Sequence, residues 1–147
     1  MKTITTNIMH TFSLKQLVIK KHIALLTIFG SFLIVLGTVL PWVTVLGGLQ
    51  SFAGIAGLNG RILLVSGVIS LVAGIIYFAK PVTVVSWGIG LFGFFQLAFC
   101  SWLLLGLWKT YQQITQDSMV IGGIGPGLFV VTLGALLIFG TLVTNRK

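Results

Sequence analysis

The sequence predicts an all-α protein: a four-helix transmembrane bundle of two hairpins, with both termini cytoplasmic. Three observations predict it. Long apolar runs without a charged residue occupy 23–40, 62–79, 82–107 and 126–143. Only 7% of the chain is charged and 56% is hydrophobic, whereas about a quarter of a soluble domain is charged. The Lys and Arg residues fall in the gaps between the apolar runs, where membrane topology places cations.

The same observations exclude several classes. A net charge of +8 raises nucleic-acid binding, but that needs a basic face on a soluble scaffold. The partner implied is the lipid bilayer, with no nucleic acid. Cys100 is the single cysteine, so no intrachain disulfide or Cys-rich metal site is available. Membrane thiol oxidoreductases, which need cysteine pairs, are thereby excluded.

Residues 1–22 form a basic segment with Lys2, Lys15, Lys20 and Lys21. Ile4, Ile8, Phe12 and Ile19 recur there at near-helical spacing. That pattern fits an interfacial amphipathic helix leading into the first span, or a tail whose lysines meet anionic headgroups. The basic leader is long and no small-x-small site closely follows the apolar core, so no signal cleavage is expected. Residues 23–147 then make up the membrane domain.

The first span, 23–40, is long enough to rise about 27 Å, close to the hydrocarbon thickness. Pro41 disfavours helix at Leu40 and helps to end it. Trp42 then suits the headgroup level as an interface anchor. The segment from Val43 to Leu58 is Gly-rich and uncharged. A loop folded over the outer end of the bundle is expected there, with a re-entrant loop or a short hairpin as alternatives. Asn59 is the expected N-cap of the second span, 62–79. Lys80 closes that span and Pro81 opens the third. The turn is so short that these two helices should pack as antiparallel neighbours. The third span, 82–107, exceeds what a bilayer needs and should tilt or project. Trp108 and Tyr111 mark its exit as further anchors. Pro126 suits the first position of the fourth span, with the preceding glycines as a hinge.

Cation counting sets the orientation. With both termini inside, the cytoplasmic side holds Lys2, Lys15, Lys20, Lys21, Lys80, Arg146 and Lys147, and the outer side only Arg61 and Lys109. That asymmetry is a positive-inside pattern and implies a multi-pass protein of the cell (inner) membrane.

A weak repeat runs through the spans. Gly60, Gly67 and Gly74 are spaced by seven, as are Gly127, Gly134 and Thr141, and as are Gly30 and Gly37. Small residues at that interval form a groove along one helix face that admits another backbone. The pattern fits two hairpins of equal orientation, as in repeat-built transporters, or simply the general glycine enrichment of membrane helices.

Chemistry is sparse. No span contains an acid, a Lys, an Arg or an internal His, and ion or proton pathways usually need such groups. His10 and His22 both precede the first span, so they cannot form the facing pair that ligates a buried haem. Asp117 is the only acid, which leaves no nucleophile–base constellation of the usual kind. No cofactor, metal or catalytic residue is expected. Gln96 lies mid-span and suits an interhelix hydrogen bond that fixes register, or a polar contact for a ligand or partner helix. Cys100, one turn later, suits a packed small hydrophobe. Asp117 shares its side with Arg61 and Lys109, and an ion pair with Arg61 would clasp the two outer loops.

Three short segments carry a resemblance: Gly37-Thr38-Val39-Leu40-Pro41-Trp42, Gly57-Leu58-Asn59-Gly60 and Gly123-Ile124-Gly125-Pro126-Gly127-Leu128. Over residues 24–143 the pattern resembles small four-span bacterial membrane proteins without an assigned activity. Where those proteins often carry an acid beside Gly60, this chain has Asn59. The resemblance implies four spans and no particular chemistry. Gly106-Leu107-Trp108 is similar to a claudin-like Gly-Leu-Trp, but it ends the third span and lacks the accompanying cysteine pair.

The function expected is therefore a non-enzymatic accessory or structural subunit of a membrane assembly, as a homo-oligomer or within a larger complex. The alternative is a passive transport or lipid-binding protein using a groove near Gln96 and the outer loop.

Overall fold

The computed structural model describes residues 2–45, 49–117 and 123–144. Its helices are α1 (Lys2–Val39), α2 (Leu58–Ala79), α3 (Thr83–Asp117) and α4 (Pro126–Thr144). Strands β1 (Pro41–Val45), β2 (Gln50–Ala53) and β3 (Gly123–Ile124), with a 3-10 turn at Gly54–Ala56, sit at one end. Each helix contains a stretch long and apolar enough to cross a membrane: Val18–Val39, Leu58–Ala79, Thr83–Lys109 and Pro126–Thr144. At 22 residues, α2 rises about 33 Å, enough for a hydrocarbon core of about 30 Å. The protein is a four-helix transmembrane bundle capped by a small sheet.

The bundle is apolar outside and small inside. On α1, Leu25, Phe29, Phe32 and Leu36 form an exposed stripe at helical spacing. On α2, Ile62, Val65, Ile69, Val72 and Ile76 do the same. Water would not tolerate four such stripes together, whereas lipid covers them at no cost. The buried face of α1 instead carries Ala24, Thr27, Gly30, Ser31, Ile34, Gly37 and Thr38. Its hydroxyls are satisfied within the helix: Thr27 Oγ1 donates to the Ile23 carbonyl at 2.9 Å and Ser31 Oγ to the Thr27 carbonyl at 2.7 Å.

α1 is the central helix and packs against both α4 and α2, while α3 packs against α4. Between α1 and α4 the backbones nearly touch. A Cβ added at Gly30 would lie 2.7 Å from the Gly134 carbonyl oxygen, and one at Gly134 would lie 2.5 Å from that of Gly30. One heptad along, Gly37 and Gly127 repeat this reciprocal contact at 2.8 and 2.7 Å. The glycines of α2 face α1 as well: a Cβ at Gly67 would meet Ile34 at 2.9 Å, and one at Gly74 would meet Thr27 at 3.1 Å. α3 approaches α4 through Gly90 and Gly93, opposite Leu142 and Ile138.

Several expectations need correction. α2 and α3 are joined by a very short turn yet touch at few points. The close-approach glycines of α3 face α4, and small residues, rather than loop length, decide which backbones meet. α1 runs unbroken from Lys2, with no turn setting the basic segment apart, because neither Gly nor Pro occurs before Gly30. Gly57, in extended conformation, is the N-cap of α2, and Asn59 falls inside the first turn. Arg61 N–H donates to the Gly57 carbonyl and starts the helical ladder there. Pro81 lies before α3 rather than at its first position, in a tight turn where Val82 N–H donates to the Lys80 carbonyl. Pro126 does open α4.

The Gly-rich segment between α1 and α2 is a β-hairpin rather than a simple loop. β1 pairs antiparallel with β2 and with β3, in the order β2-β1-β3. The β1–β2 register slips between Pro41 and Val43, leaving Trp42 as the bulged residue. A bulge re-aims its side chain, and here Trp42 turns into the bundle.

Candidate functional site

Trp42 organises the end of the bundle that carries the sheet. The sequence suggested an interface anchor at the headgroup level; the indole is only 7% exposed and packs inside the bundle end. Its indole Nε1 donates to the Gly37 carbonyl at 2.9 Å, and its own carbonyl accepts from Gly125 N–H at 2.7 Å. Gly54 lies flat against the indole ring, and a Cβ at Gly127 would meet it at 2.8 Å. Gly60 is packed onto the Gly54 carbonyl, and Gly125 onto the Pro41 carbonyl. The fold thus gathers the ends of three separate segments, 37–42, 57–60 and 123–128, around one buried indole. No spacing rule reveals that grouping, because each segment lies far from the others in sequence.

Beside this knot lies a cavity of about 410 Å³, open between the ends of α2 and α3 that lie beneath the hairpin. Trp42, Phe52, Gly54, Leu58, Leu103 and Leu107 line it. It exists because the α2–α3 seam is the sparsely packed one. Arg61 and Lys109, both exposed, follow its lining residues on α2 and α3 by one and two positions. Arg61 Nε donates to the Ile55 carbonyl at 3.2 Å. The side chain of Asp117, at the end of α3, lies outside the described residues, as does that of Tyr111. Trp108 is half exposed near the end of the third span.

Deeper in the same seam is a polar cluster. Gln96 is 4% exposed, and its Nε2 donates to Ser66 Oγ at 3.0 Å and Ser70 Oγ at 3.1 Å on α2. Its Oε1 is buried without a partner. Ser66 Oγ in turn donates to the Leu63 carbonyl at 2.9 Å. Gln96, Cys100, Leu103 and Leu107 lie on one inward stripe of α3, but the cavity lining reaches Leu103 and not Gln96. At Gln96 itself the side chain is 4% exposed and bridges α3 to α2. Gly30, Gly37, Gly67, Gly74 and Gly134 are likewise used inside the bundle, where they seat neighbouring helices.

Among the described residues no group of His, Cys, Asp and Glu is placed to hold a metal ion. These features define a class: a multi-pass helical membrane protein with one end capped by a small sheet and an apolar cleft beside it. No family model, curated protein or solved structure matches the chain, so its reading rests on this geometry.

Proposed function

We propose that this protein is a non-enzymatic accessory or structural subunit of a membrane assembly, in the inner membrane with both termini cytoplasmic. The observation that carries the reading is the outer edge of the small sheet. Among the described residues β2 pairs on one side only, with β1. Leu49, at 87%, and Phe52, at 54%, stand exposed beside that edge. An unpaired strand edge is a template for another chain, through main-chain hydrogen bonds. The glycine seams support the same reading, because they make the bundle a rigid base for that edge. The cation asymmetry across the loops supports the orientation.

The test is photo-crosslinking in native membranes from Leu49, with Phe29 as a lipid-facing control, followed by purification in mild detergent. One stoichiometric partner or a second copy crosslinked from Leu49 alone is the expected result. A monomer that carries only lipid would sink the subunit reading.

The cleft between α2 and α3 favours a second reading, a lipid-binding protein. Its walls are apolar and it opens beside two membrane-crossing helices. Passive transport has less support, because the cavity lining stops short of Gln96.

A further inference from the structure

We infer that one water molecule is bound between α2 and α3 at the middle of the membrane, donating a hydrogen bond to Gln96 Oε1 and accepting one from the Ser70 hydroxyl. This site is separate from the sheet edge and from the apolar cleft.

The polar cluster leaves one acceptor and one donor over. Both hydrogens of Gln96 Nε2 are engaged, by Ser66 Oγ at 3.0 Å and Ser70 Oγ at 3.1 Å. Gln96 Oε1 is buried and accepts nothing. The two serines then differ. Ser66 Oγ donates onward to the Leu63 carbonyl. Ser70, 3% exposed, donates its own proton to no acceptor among the described residues. Buried polar groups find partners, because an unmade bond is costly away from bulk water. Exchanging the two amide atoms would not remove the need, since Nε2 would become the orphan in the same place.

Distance permits a bridge. Oε1 lies about 2.2 Å from Nε2 across the amide carbon. Ser70 Oγ, 3.1 Å from Nε2, is therefore within about 5.3 Å of Oε1. Two hydrogen bonds of about 2.8 Å through one water span up to about 5.6 Å.

Depth names the ligand. Gln96 is the middle residue of the span Thr83–Lys109, and Ser66 and Ser70 straddle the middle of Leu58–Ala79. Hydrocarbon offers no donor there. The basic side chains of the spans stand near their ends: Lys20, Lys21 and His22 on α1, Arg61 on α2 and Lys109 on α3. Water is small, donates and accepts, and as an internal molecule needs at least two polar partners. Oε1 and the Ser70 hydroxyl supply one of each kind. A bridging water is nearly as good as a direct bond, so it adds a further polar link to a sparsely packed seam.

The test uses the full chain in phosphatidylcholine bilayers, with glutamine and phenylalanine side chains carbon-13 labelled. Solid-state NMR follows magnetisation transfer from water protons to those side chains. Phe95, next to Gln96 but 67% exposed, is the lipid-facing control at the same depth. The expected result is transfer to Gln96 Cδ and none to the Phe95 ring. Ser70→Ala removes the second partner of the water and should abolish the transfer. Ser66→Ala removes an equal direct bond to Gln96 and should leave it. No transfer to Gln96 in the unaltered chain, while the exposed Gln50 receives it, would overturn the inference. Equal transfer to Phe95 would overturn it too, by showing hydration without a site. Loss in both serine variants, or in neither, would overturn the place given to Ser70. The unaltered chain alone decides whether water is bound, even where a variant does not fold.

Discussion

Gly30 and Gly88 show how far apart two glycines of one chain can be in consequence. At Gly30 a methyl group would strike the Gly134 carbonyl, which is backbone and cannot move aside. Gly30→Ala should therefore force α1 from α4 and cost about 1–3 kcal/mol. Gly88 has nothing within reach of an added Cβ, and Gly88→Ala should leave stability unchanged or raise it by up to about 1 kcal/mol. Unfolding of the two variants side by side in mild detergent checks both signs. Trp42→Phe keeps most of the ring but strands the Gly37 carbonyl, at a cost of about 1–3 kcal/mol in the same assay. Gln96→Leu is different. It removes two bonds to serines but also an orphaned amide oxygen, so the loss should stay within about 1 kcal/mol.

The hairpin makes the sharpest element-scale statement. β1 is the middle strand, with Thr44 opposite Gly123 of β3 across 79 residues of chain. Opposed residues of antiparallel strands lie about 4.5–5.5 Å apart at Cα, within disulfide reach. Thr44→Cys with Gly123→Cys, on a Cys100→Ala background, should form an intrachain disulfide on mild oxidation. A pair at Thr44 and Lys109 should not. Gel mobility with and without reductant distinguishes the outcomes.

For the whole molecule, orientation is the decisive quantity. The expectation is that Gln50→Cys reacts with a membrane-impermeant maleimide on intact cells, and that Lys80→Cys reacts only after the membrane is opened. The reverse labelling would invert the topology and move the cleft to the cytoplasmic leaflet. At this scale the structure is two hairpins, α1–α2 and α3–α4, joined through the α1–α4 glycine seam, with the α2–α3 side left open enough for a cleft.

The number of spans, their near boundaries, the small-residue period and the distribution of charge were all legible in the sequence. They rest on one-dimensional physics: bilayer thickness, helical rise and the cost of moving charge into hydrocarbon. Three things were decided only by tertiary structure. Gly30 and Gly37 pair with Gly134 and Gly127, whereas a seven-residue period only marks a groove without saying which helix fills it. Trp42, read as an interface anchor from its place after a span, is buried because a bulge turns it inward onto Gly37, Gly54 and Gly127. The cleft has no sequence signature, since it arises where two chain neighbours, α2 and α3, are each drawn to other helices by their own glycines. Pairing, side-chain direction and empty space belong to relations between distant segments, and those are set by packing.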